Sequence, residues 1–155
     1  MSELAQRVQT YLQSHTTLNL ATEGPAGLWA AAVLYVDDGP RLYFTSVAAT
    51  RHGQNLMASR HAAGTINDDC HEWIAMKGVQ LEGHVAPVVD RDERERVVSA
   101  YLARFPFARA LWHGETDAAR IADNPGTHGF FRLTVDRLYF TDNEHAPGVR
   151  EELPM

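Results

Sequence analysis

The chain has 155 residues, 45% of them hydrophobic, which suits one globular domain and argues against disorder. With 20 acidic against 14 basic residues the formal net charge is −6, which speaks against non-specific binding to nucleic acid or to an anionic membrane. The single cysteine, Cys70, leaves no intrachain disulfide, and the lack of a signal-like start or a membrane-length apolar run sets the expectation of a cytoplasmic protein.

Leu4, Val8, Tyr11 and Leu12 recur at helical spacing and predict a helix over Ser2–His15. A strand is predicted over Thr17–Thr22, followed by a turn through Glu23–Gly27. Leu28–Val36 reads as a second strand, apolar on both faces, and Asp37-Asp38-Gly39-Pro40 turns it into a third over Arg41–Ser46. Two hairpin-like connections in a row indicate an antiparallel meander. Arg51–Ser59 reads as a short helix and Ala62–Asn67 as a strand.

Trp73–Val89 reads as one long strand region, with Val79, Leu81 and Val85 on one face and Gln80, Glu82 and His84 on the other. Gly83 there marks a bulge or a sharp bend. Asp90–Phe105 is predicted helical, with Asp90 and Glu93 as a capping box and Val97, Val98, Tyr101 and Leu102 as its apolar face. Phe105-Pro106-Phe107 interrupts it, and further helical pieces pass through Ala110-Leu111 and Thr116–Ala122, a helical insertion over about 90–122. Phe130–Val135 and Leu138–Thr141 are predicted as two strands around an Asp136-Arg137 turn; the tail from Glu144 onward is polar and aperiodic. Six strands and an inserted helical region, without regular strand–helix–strand alternation, predict a mainly β fold. The expected form is one domain over 1–155, a small six-stranded antiparallel barrel rather than a doubly wound sheet.

Chemistry concentrates between Leu42 and Leu56. An apolar strand ends in two hydroxyls, Thr45 and Ser46, and Thr50-Arg51-His52 opens a helix a few residues later. Free N–H groups of a first helical turn and the helix dipole favour an anion, and an arginine there grips phosphate through two nitrogens. The segment therefore reads as the phosphate end of a nucleotide-cofactor site. The same strand, loop and capped helix is also ordinary architecture.

Elsewhere the candidates are weaker. Asp68-Asp69-Cys70-His71-Glu72 holds five metal-ligand types, but neighbours in sequence do not turn toward one ion and no zinc spacing is present, so a polar turn is expected and no metal site. His84 reads either as a titrating group near a cofactor or as a solvent-facing residue. Trp29, Trp73 and Trp112 read as packing anchors or as stacking platforms, Trp112 and Phe105–Arg109 as a cover over the site or a packed helix break. No paired carboxylates or Ser-His-Asp arrangement is evident, and no catalytic residue is assigned.

Ala30-Ala-Ala-Val-Leu-Tyr35, Leu42-Tyr-Phe-Thr-Ser46, Thr50-Arg-His-Gly53, Gly78-Val-Gln-Leu-Glu-Gly83 and the closing Phe131–Leu133 and Tyr139–Asn143, taken in that order, resemble the FMN-binding split barrels related to pyridoxamine 5'-phosphate oxidase. Arg104-Phe-Pro-Phe-Ala-Arg109 narrows the resemblance to a small bacterial subfamily. The resemblance implies a homodimer with two equivalent FMN sites and an oxidoreductase that transfers hydride or electrons to a small molecule. It places Thr45 and Ser46 near the flavin phosphate and ribityl chain, and Thr50, Arg51 and His52 at the phosphate, His52 standing where the oxidase has lysine. It lays the backbone of Ala31–Leu34, Ala32 and Val33 included, along the ring, and brings Gln80 to the ring region of the neighbouring subunit's cofactor. Two departures stand out. Ala30-Ala31-Ala32 lacks the cation many relatives carry on this strand, and the oxidase's C-terminal arginine-and-histidine motif is absent. The resemblance therefore does not imply true pyridoxamine phosphate oxidase activity. The alternative is a non-catalytic split-barrel dimer that holds flavin or another anionic ligand as a sensor or carrier.

Overall fold

The computed structural model describes residues Met1 to Met155. Helix α1 (Glu3–Ser14) begins where the Ser2 hydroxyl accepts the Ala5 N–H at 3.1 Å. Strands β1 (Thr17–Gly24), β2 (Gly27–Asp38) and β3 (Arg41–Val47) form the expected meander. Gly27 at φ +93° and Gly39 at φ +59° supply the left-handed backbone that its two tight turns need.

Helix α2 (Arg51–Ala58) and strand β4 (His61–Asn67) follow, then β5 (Lys77–Pro87), α3 (Arg91–Arg104), α4 (Ala118–Asp123), β6 (His128–Asp142) and β7 (Arg150–Leu153). Pairing runs β3-β2-β1-β4-β5-β6, and β6 pairs back onto β3, so six antiparallel strands close into a barrel. Closure removes sheet edges over most of the ring.

Four sequence expectations are corrected. Trp73–Ala75 is a 3₁₀ turn rather than the start of β5, and its Trp73, Ile74 and Met76 neighbourhood is exposed rather than laddered. The two closing strands are one: β6 runs unbroken through Asp136-Arg137, because the two outward polar residues belong to a bulge and not a turn. The tail forms β7, which pairs Arg150–Leu153 against Leu138–Thr141 of β6 outside the ring. The capping box is half made: Asp90 accepts the Glu93 N–H at 2.8 Å, but the Glu93 carboxylate turns away to Arg132 (2.6 and 2.7 Å) and Tyr43 (2.9 Å).

Two cores lie on either side of the barrel wall. The interior is filled by inward residues of all six strands, among them Leu18, Leu20, Phe44 and Leu133, with Val8, Tyr11 and Leu12 of α1 and Leu56 of α2. The helical insertion forms the second, packing Val97, Val98, Tyr101, Phe105 and Trp112 over Val36, Tyr43 and Phe130. Burying a leucine or phenylalanine stabilises by about 1.5–3 kcal/mol, so each core alone is a large contribution. Trp112 is an anchor here, stacked on Phe130 with its indole N–H donated to the Pro125 carbonyl at 3.2 Å. No helix is long and apolar enough to cross a membrane.

Candidate functional site

Strand β3 delivers Ser46 to the start of α2. Thr50 caps the helix: its hydroxyl oxygen accepts the Gly53 N–H at 3.1 Å and donates to the Val47 carbonyl at 2.7 Å. A Cβ on Gly53 would stand 2.7 Å from that same carbonyl, so only glycine lets the turn close this tightly. Ser46 Oγ lies 2.7 Å from His52 Nε2 and 3.2 Å from Thr50 Oγ1, and Thr50 Oγ1 lies 3.3 Å from His52 Nε2. Three of the predicted phosphate residues thus form one half-buried triangle. Burial pushes the His52 pKa down, so at neutral pH the imidazole carries no charge. The Ser46–His52 contact is the kind that activates a serine, but no carboxylate orients the imidazole and Ser46 is itself buried.

The N–H groups of Arg51 and His52 in the first turn have no partner within the chain. Arg51 reaches across to the β1–β2 hairpin, donating through Nη2 to the carbonyls of Ala26 (2.8 Å) and Leu28 (3.3 Å) and lying 4.4 Å above the Trp29 ring. Its Nε is buried with no acceptor. A buried guanidinium nitrogen without an acceptor is unfavourable by about 1–3 kcal/mol, and an anion supplied from outside relieves it. The corner thus offers donors of the kind a phosphate takes, two free N–H groups of the first turn and an unpaired guanidinium nitrogen on the same residue as one of them, with Ser46 and His52 beside the turn; the Thr50 hydroxyl hydrogen is already given to Val47.

Thr45 does not join them. Neighbouring residues of a strand face opposite ways, and the Thr45 hydroxyl donates to the Gly129 carbonyl of β6 at 2.9 Å. Gln80 lies on the outer wall of β5, where its amide oxygen accepts from Arg150 at 3.3 Å, and no contact within the chain brings it to the triangle. Asp68 is tied into its polar turn by His15 (2.7 Å) and the Tyr11 hydroxyl (3.2 Å). The insertion packs on the barrel's outside rather than over the triangle.

Strand β2 contributes what the sequence did not reveal. It pairs with β1 along Gly27–Leu34, but with β3 only from Tyr35 onward, so the barrel is split along one edge of β2. Tyr35 N–H bonds the Thr16 carbonyl on the β1 side, whereas the Leu28 carbonyl faces Arg51 and the Leu34 carbonyl accepts the Tyr101 hydroxyl at 3.5 Å. Alternation then turns the backbone groups of Ala30 and Ala32 into the split. Val33 faces the other way, opposite Leu18, with its side chain in the core, and so leaves the edge. Ala32 stays as a candidate and Ala30 joins it. Their small side chains keep this edge accessible.

Residues 4–142 match the family model described as pyridoxamine 5'-phosphate oxidase. A UPF0306 protein of Klebsiella pneumoniae is 35% identical over 109 residues, 66% of this chain and 72% of its own. Among solved structures, a heme binding protein from Mycobacterium smegmatis superposes with a TM-score of 0.77 at 20% identity, covering 99% of this chain; the chain spans 58% of that protein's length. HutZ, the heme storage protein of Vibrio cholerae, superposes at 0.69 with 19% identity, covering 88% of this chain and 94% of its own. At these identities the structural likenesses establish the shared split-barrel fold.

Proposed function

This chain belongs to the pyridoxamine 5'-phosphate oxidase family, and on that premise we propose that it is an FMN-binding oxidoreductase, working as a cytoplasmic homodimer and passing hydride or electrons to a small molecule. The observation that carries the reading is the buried, unpaired Nε of Arg51 in the residue that opens α2. Arg51, Thr50, Ser46 and His52 would hold the phosphate. The unpaired edge at Ala30 and Ala32 would offer backbone donors and acceptors to the rim of a flat heterocycle. Bound flavin supplies the redox chemistry, and the chain's part is to bind it, orient it and set its surroundings.

A second reading, a non-catalytic carrier of a planar ligand, has its own support. Leu28 (76% exposed) and Trp29 (42% exposed) leave apolar surface beside the split, and Ala30-Ala31-Ala32 offers no cation. Two of the superposing structures are proteins named for heme. Absorbance spectra of the purified protein, taken after loading separate samples with excess FMN and with excess haem and removing the unbound fraction, separate the two. Flavin retained at about one per subunit, and reduced by NADH or NADPH with turnover, supports the oxidoreductase. Retention of haem but not flavin supports the carrier. Retention of neither overturns both.

A further inference from the structure

Strands β4 and β5 place His61 directly opposite His84, both on the solvent face of the barrel. The two rings stand 4.5 Å apart, centroid to centroid, tilted by 52°. Behind them the ladder between β5 and β6 slips: Glu82 faces Arg137 while Gly83 faces Val135, which leaves Asp136 as the extra residue of a bulge. Val135 and Leu138 both point into the core, so Asp136 and Arg137 both emerge outside, and the Asp136 carboxylate meets Nδ1 of His84. The bulge requires Gly83, because a Cβ there would lie 2.1 Å from the Thr134 carbonyl oxygen.

This arrangement has the features of a metal-ligating pair. The Asp136 carboxylate stands against Nδ1 of His84 and Nε2 has no partner within the chain, which leaves Nε2 open to a ligand; a carboxylate behind the far ring nitrogen is one of the usual supports of metal-bound histidines. Neither ring nitrogen of His61 is engaged by a hydrogen bond. Two imidazoles at adjacent positions on one ion, with metal–nitrogen bonds of about 2.0–2.1 Å, have centroids roughly 4.5–5.2 Å apart. The rings already stand at that separation. Glu23 and Glu82 share a groove of about 410 Å³ with His61 and Asp136; Arg137 offsets Glu82 at 3.8 Å, and Glu23 and Asp136 leave a charge that favours a cation.

We infer that His61 and His84 form a two-imidazole site for a divalent transition-metal ion of the nickel, copper or zinc class, with Asp136 as the positioning residue for His84. Nitrogen donors select these ions over magnesium and calcium, which take oxygen. Water completes the coordination. The site is independent of the flavin reading.

Calorimetric titration of the tag-free full chain with Ni²⁺ in chelator-free buffer tests it. One ion should bind per chain. His61→Ala and His84→Ala should each weaken binding at least tenfold, and Asp136→Asn, which keeps the shape and loses the charge, by about 10- to 100-fold. His145→Ala, in the turn after β6, should change nothing. All three histidines lie at the surface, and matching melting temperatures of the variants confirm that folding is intact. Absence of binding up to millimolar Ni²⁺ overturns the inference. So does full affinity in either His61→Ala or His84→Ala.

Discussion

Replacing Arg51 separates its hold on the hairpin from its proposed hold on a phosphate. Within the chain Arg51 makes two partly exposed hydrogen bonds to carbonyls, at 2.8 and 3.3 Å, and one stacking contact at 4.4 Å. Together these contribute about 1–2 kcal/mol, against a cost of about 1–3 kcal/mol for the unpaired Nε, so the net is within about 2 kcal/mol of zero and the melting temperature of Arg51→Ala should stay within roughly 8 °C of the parent's. A phosphate on the guanidinium adds a charge-assisted bond of about 1.5–3 kcal/mol in the bound state only, so FMN affinity should fall about 10- to 150-fold. Arg51→Met keeps an unbranched stem over Trp29 and removes the charge. It should melt at or above Arg51→Ala and recover none of the affinity. Flavin fluorescence titration gives the affinities and calorimetry the stabilities. If Arg51→Met binds FMN as tightly as the parent chain, Arg51 serves the hairpin alone and the phosphate assignment is wrong.

Three further outcomes follow from the packing. Burial holds the His52 pKa below its unfolded value, so its contribution to stability is complete above about pH 6.5 and is lost as pH falls through the folded value. His52→Gln should flatten the stability slope just below pH 6.5 in urea titrations at stepped pH, and an unaltered slope contradicts the buried, neutral imidazole. Burial raises the Glu93 pKa, but hydrogen bonds from Arg132 and Tyr43 outweigh it, so the carboxyl titrates below its usual range and stabilises above it. Glu93→Ala should destabilise by about 3 kcal/mol, the low end for a buried pair because Arg132 is partly exposed, and Glu93→Ala with Arg132→Met should recover some of that loss. Equal stability of the single and double variants argues that the pair is not coupled. Gly83→Ala drives a methyl group into the Thr134 carbonyl and should lose about 1–3 kcal/mol; a loss below about 0.5 kcal/mol means the bulge is not the tight backbone approach described.

The barrel was legible because most of its strands alternate, β2 with apolar residues on both faces being the exception, and because its turns carry glycine at the positions that require it. The β3–α2 corner was legible for a similar reason, since Ser46, Thr50 and His52 lie within seven residues and Thr50 is a standard helix cap. Errors came where period 2 broke. Asp136-Arg137 puts two polar residues outward in succession, which in one sequence looks the same as a turn; the sign that told otherwise was Gly83, on a different strand. Thr45 was paired with Ser46 by adjacency, although adjacency on a strand means opposite faces. Strand β7 is four residues long, charged at three of them and at the sheet's margin, so no apolar pattern marks it. The reach of Arg51 to Ala26 and Leu28, the facing of His61 and His84, and the free edge of β2 all depend on which strands meet, and local pattern does not carry that.

The unpaired edge of β2 also bears on self-association. An open row of N–H and C=O groups recruits another strand, and Leu28 to Leu34 would present about 20 Å of it. Both ends of that row are stoppered, by Arg51 on the Leu28 carbonyl and by the Tyr101 hydroxyl on the Leu34 carbonyl. What is left open, between Ala30 and Ala32, is about 7 Å long. That gap is too short to template a foreign strand and wide enough for the edge of a single ring. The same two side chains that narrow the opening for a small molecule keep this edge from recruiting a neighbour's strand.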